Sequence, residues 1–143
     1  MATAICGRLP LAHALGRAGV VMETDSLAGR SVLIVENEAL IALDIALEFE
    51  KVGAFVLTAH SLAQASELVE RDDLAAAVMD FGLGDGDADA LCARLKRRGI
   101  PFVLHSGYSH LRSGCNGGVV VPKPANPSTL IAAISQMLTL RLH

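Results

Sequence analysis

The stretch Ala76-Ala-Val-Met-Asp80-Phe-Gly-Leu-Gly-Asp-Gly86 decides the fold. An apolar, strand-like run ends in a single carboxylate, and a glycine-rich loop follows at once. A buried strand ending this way puts Asp80 at the carboxyl edge of a sheet, where open α/β folds place their chemistry. Three other apolar runs also end on polar residues. One ends in Glu36-Asn37-Glu38, another in His105-Ser106-Gly107, and the third in Pro122-Lys123-Pro124. Acids, a hydroxyl and an ammonium just after strands predict a site for a cation and a phosphoryl group.

Outward from Asp80 the pattern alternates. Residues 31–35 are β-branched and continuously apolar, as a strand buried on both faces requires. Residues 38–52 have helical spacing, with Leu40, Leu43 and Leu47 predicted to face the core and Glu48, Glu50 and Lys51 to face water. Gly53 fits a helix C-cap. Strands are predicted at 54–59, 74–79, 101–105 and 118–121. Ser61 and Gln64 form a capping box that opens a helix to about Arg71. A further helix spans about 87–98, with Arg94, Lys96, Arg97 and Arg98 at its negative end. Asn126-Pro127 opens the last helix, to about Leu140. Between the fourth and fifth strands, residues 107–117 hold three glycines and few apolar residues, so a helix there is short or absent. Strands alternating with helices imply a parallel sheet covered on both faces.

Composition bounds the function. The 143 residues suffice for one domain with a real core, and with 52% hydrophobic but 3% aromatic residues that core is aliphatic. The net charge of −3 includes no basic patch large enough to argue for nucleic acid. No apolar run reaches the roughly 18 residues that span a membrane. Cys6, Cys92 and Cys115 are odd in number and form no CxxC pair, so neither a disulfide framework nor a zinc site is expected and a cytoplasmic location is. Residues 1–30 differ from the rest. They are rich in Ala, Gly and Leu with no acid before Glu23, and read as a flexible extension, an over-long start with Met22 as initiator, or a short packing helix.

The first βα turn excludes two nucleotide-binding classes. It reads Glu36-Asn37-Glu38-Ala39, which is neither the glycine fingerprint of a dinucleotide fold nor a P-loop. An acidic turn points instead to a hard cation. Asp85, Asp87 and Asp89 resemble the start of a calcium loop, but Ala90 and Lys96 occupy its glycine and glutamate positions, so these acids read as a helix start. His60, His105 and His110 share no ligand spacing.

Val-Leu-Ile-Val-Glu-Asn-Glu, Val-Met-Asp-Phe-Gly-Leu, Leu-His-Ser-Gly-Tyr and Pro-Lys-Pro, in this order over residues 31–140, resemble the receiver domain of two-component response regulators. The resemblance implies a flavodoxin-like (βα)5 three-layer sandwich with strand order 2-1-3-4-5 and a reduced helix before the fifth strand. It implies Asp80 as the acceptor of a phosphoryl group from a histidine kinase or phosphotransfer protein, not a self-standing enzyme. Mg²⁺ would be held by Glu36, Asn37, Asp80 and the carbonyl of Gly82. Ser106 and Lys123 would hold the phosphoryl oxygens. A changed surface would then meet a downstream protein target, with a homodimer left open and no nucleic acid or membrane as partner.

Two positions depart from the family. Asn37 stands where an acidic ligand is usual, and a unit charge about 4 Å away is worth about 4 kcal/mol at an effective dielectric of about 20, before desolvation. Metal affinity is therefore expected to fall, and Asn37 is equally suited to capping the first helix. The aromatic switch residue expected three before Lys123 is Val120, and Tyr108 with the loop 107–117 is expected to take over that role. The alternative reading is a degenerate receiver that acts as a phosphorylation-independent interaction module. A flavin-binding domain on the same fold would need a hydroxyl-rich phosphate loop after the first strand, which this sequence lacks, and a phosphatase of the haloacid type would need an acid at Gly82.

Overall fold

The computed structural model describes residues 26–80, 88–106, 115, 117–123 and 125–141, without the side chains of Ser106 and Arg141. The element order is β1 (Ser31–Val35), α1 (Ala39–Lys51), β2 (Phe55–Ala59), α2 (Leu62–Leu68), β3 (Leu74–Asp80), α3 (Ala88–Arg97), β4 (Phe102–Ser106), β5 (Val119–Pro122) and α4 (Pro127–Arg141). The five strands are parallel and lie in the order β2-β1-β3-β4-β5. The alternating pattern predicts the parallel sheet, and the receiver resemblance implies this flavodoxin-like order. β1 and β3 are central, and both are buried along their length apart from partly buried Ala75 in β3.

Side chains alternate across the sheet and build two cores. Leu33, Met79, Phe102 and Leu104 face Leu62, Ala65, Leu91 and Leu95 of α2 and α3. Val32, Ile34, Val78 and Val103 face Ile45 and Phe49 of α1, Leu130 and Ile134 of α4, and Leu27 ahead of β1. Each fully buried aliphatic side chain contributes about 1.5–3 kcal/mol. Leu27 joins the second core because Gly29, at φ +77°, turns the chain so that its N–H donates to the carbonyl of Gly53 at 2.9 Å.

Local chemistry explains the helix ends. The Gln64 N–H donates to Ser61 Oγ at 3.1 Å, and Gln64 Oε1 accepts from the His60 N–H at 2.7 Å, one residue before the expected partner. α2 stops at Leu68 rather than near Arg71. Beyond it, the Glu70 and Arg71 N–H groups reach back only three residues, to the carbonyls of Glu67 and Leu68, so the chain tightens into turns. Gly53 and Gly99 take the left-handed conformation (φ +94° and +70°) just past α1 and α3.

Two expectations are overturned. Leu40, Leu43 and Leu47 face solvent, Leu40 at 81% exposure, while Ala42, Ile45, Ala46 and Phe49 are buried. α1 is apolar on two sides, and it seats the stripe with two small alanines, which lets the helix approach the sheet closely while Phe49 fills the gap. The second correction concerns cysteine. Cys92 in α3 and Cys115 ahead of β5 are joined in a disulfide with Cα atoms 5.0 Å apart, both fully buried. Their 23-residue separation, with all of β4 between them in sequence, conceals the contact.

Candidate functional site

The site lies at the carboxyl edge of β1, β3, β4 and β5. Asp80 is the last residue of β3 and only 7% exposed. The Lys123 ammonium, just past β5, donates to Asp80 Oδ1 at 3.0 Å. Residues at alternate positions along β3 and β1 share a face, so Asp80 follows Ala76 and Val78, and Glu36 follows Val32 and Ile34, on the side covered by α1 and α4.

Glu36 is 2% exposed. Its Oε2 accepts the Glu38 N–H at 3.1 Å, and its Oε1 has no hydrogen-bond partner among the described residues. Burial pushes its carboxyl above the usual 4.5; the Glu38 N–H opposes this, and the nearby Asp80 carboxylate adds to it. The backbone around Glu36 is fixed from β2: its N–H donates to the Ala59 carbonyl at 2.9 Å, and its own carbonyl accepts from His60 Nδ1 at 3.0 Å. Asn37 is exposed and does not cap α1. The N-cap is Glu38, whose side chain makes no capping bond, and the Glu36 carboxylate takes the end-of-helix N–H instead.

His105 is the group that sequence reasoning set aside. It pairs with Asp80 in the β3–β4 register, is 7% exposed, and neither ring nitrogen has a partner among the described residues. Burial and the Lys123 cation hold its imidazole below the usual 6.5, with Asp80 pulling the other way. The signal was present in the sequence: a polar residue inside an apolar strand, one position before Ser106.

No family model and no curated protein matches the sequence. Solved structures do match. A response regulator receiver protein from Sinorhizobium medicae is 25% identical, with a TM-score of 0.70 over 78% of this chain and 96% of that one. The chain folds as a response regulator receiver domain. A mutant of the anti-anti-sigma factor PhyR from Bartonella quintana is 27% identical, with a TM-score of 0.72 over 88% of this receiver, which spans 54% of that protein. A Burkholderia pseudomallei response regulator solved with a phosphorylated aspartic acid, calcium ion and citrate shares the fold at 20% identity and a TM-score of 0.65, over 79% of this chain and 72% of that one.

Within this receiver the predicted residues fall in several places. Glu36, Asp80 and Lys123 come together. Ser106 ends β4 opposite Pro122 in register, and its hydroxyl lies outside the description. Gly82 and Tyr108 lie outside the described residues. Val120 is half-buried in β5 against the core formed with α2 and α3. Among the described residues no set of three His, Cys, Asp or Glu side chains forms a metal cluster, and no helix is long and apolar enough to cross a membrane. Mg²⁺ needs only one or two carboxylates with waters. The Glu36 oxygen that has no partner among the described residues fits such an ion, because two neighbouring buried acids favour a cation between them.

Proposed function

We propose that this receiver accepts a phosphoryl group on Asp80 in a Mg²⁺-dependent reaction and signals through changed protein contacts. One observation carries the reading: the Lys123 ammonium sits 3.0 Å from Asp80 Oδ1 with the buried Glu36 carboxylate alongside. The donor is a histidine kinase or phosphotransfer protein. An Asp80 oxygen attacks the phosphorus of its phosphohistidine, the phosphorus–nitrogen bond breaks, an acyl phosphate forms, and the released imidazole nitrogen takes a proton. Lys123 neutralises the phosphoryl oxygens, and Ser106, by resemblance, donates its hydroxyl to one of them. Glu36 and Asp80 would hold Mg²⁺ with the carbonyls of Asn37 and Gly82, and the ion would supply charge neutralisation at the transferring group. Output follows through the loop bearing Tyr108 to a protein target; an anti-sigma-type protein is one class, since a similar protein is an anti-anti-sigma factor.

The test is acetyl phosphate with Mg²⁺, read on a phosphate-affinity gel. A shifted band is expected for the wild type and absent in Asp80→Asn. A second reading, an interaction module that works unphosphorylated, draws on the exposed, uncharged Asn37. It is favoured if the wild type gives no band and Asn37→Asp gives one.

A further inference from the structure

β4 lies between β3 and β5, so the Lys123–Asp80 pair bridges across it. His105 is the β4 residue beneath that bridge. It pairs with Asp80 on one side and with Val121 on the other. Val103, two residues earlier, faces the α1–α4 side, and so does Val121, two residues before Lys123. Asp80, His105 and Lys123 therefore share one face of the sheet edge.

The imidazole is more than nine-tenths buried, and both of its nitrogens lack partners among the described residues. A buried polar atom without a hydrogen bond is costly, and an aliphatic side chain would fill this place without that cost. The neutral ring carries one N–H and one bare nitrogen. The ammonium above it has three donors and no acceptor, so the bare nitrogen is its natural second partner.

We propose that His105 is a positioning residue for Lys123, offering its bare ring nitrogen to the ammonium when the Asp80 oxygen is taken by a phosphoryl group or a cation. This rests on the phosphoacceptor reading of Asp80 for its purpose but not for its geometry. Lys123 is about one-third exposed, and without a second acceptor it would swing into water when released from Asp80. Held on His105, it stays within reach of the incoming oxygens.

The first experiment needs no phosphorylation. In Asp80→Ala the acceptor oxygen is gone, and ¹⁵N NMR of the His105 ring should show its bare nitrogen moving toward the hydrogen-bonded range. The shift should vanish in Asp80→Ala with Lys123→Met. An unmoved nitrogen in Asp80→Ala overturns the proposal, whether or not the wild type takes a phosphoryl group. The second experiment compares rates of phosphorylation by acetyl phosphate. His105→Leu should be slower by about tenfold, the scale of a lost hydrogen bond to a charged group, while His105→Gln, which keeps an acceptor, should stay within about threefold. A His105→Leu protein as fast as the wild type also overturns the proposal. A wild type with no band at all sinks the phosphoacceptor reading and leaves the ring nitrogen to decide the role of His105.

Discussion

An acid at position 37 would add charge where Glu36 and Asp80 already meet. Asn37→Asp is expected to tighten Mg²⁺ binding by about tenfold, the effect of a partly screened unit charge, as measured by calorimetry. Without metal, the same change should lower stability, because a third carboxylate joins two that already repel. The site's two shifted groups give opposite pH slopes. The folded His105 binds its proton less readily than the free imidazole at 6.5. Its contribution is therefore present above pH 6.5 and lost as pH falls through the lower folded value. The folded Glu36 holds its proton above 4.5, so its contribution is present below pH 4.5 and lost as pH rises through the raised value. Melting temperatures across this range in metal-free buffer should lose the first slope in His105→Gln and the second in Glu36→Gln. A wild-type profile left unchanged by both variants would contradict the burial of these groups.

α1 shows how far helical periodicity can be trusted. Its stripe of Leu40, Leu43 and Leu47 has the same spacing as Ala42, Ile45 and Phe49, and hydrophobicity alone favours the leucines. Packing reverses the choice, because alanines at the contact bring the helix close to β1 and β3 and a single phenylalanine fills the remaining depth. Leu43→Ser and Leu47→Ser are expected to change unfolding free energy by no more than about 0.5 kcal/mol in urea, whereas Phe49→Ala should cost about 3–5 kcal/mol. Equal losses would restore the leucines to the core. The other elements were easier to read. β1 and β3 are central strands with near-continuous apolar runs, and Ser61, Gly53 and Pro127 mark helix ends by local chemistry that tertiary context does not override.

At the scale of the whole molecule, the order of strands came with the receiver resemblance, and the meeting of Glu36, Asp80 and Lys123 was legible because each motif ends a strand and parallel strands share one carboxyl edge. The Cys92–Cys115 contact was not, since no local pattern reports that two distant segments pass side by side. The fate of His105 was hidden for the same reason: its lack of polar partners among the described residues is a property of three strands together. The bond fixes α3 to the segment ahead of β5, and reducing it is expected to lower global stability by about 2–4 kcal/mol. Thermal melts with and without dithiothreitol, beside a thiol count, measure this directly; identical melts with the bond demonstrably opened would show that packing alone holds the contact. The bond also makes a covalent ring of the chain from α3 through β4. Pulled from its two ends, the oxidised protein keeps that ring closed, so its stretched length is shorter by 23 residue steps, roughly 80 Å at full extension. β4, with His105 and Ser106, lies inside the part that bears no load.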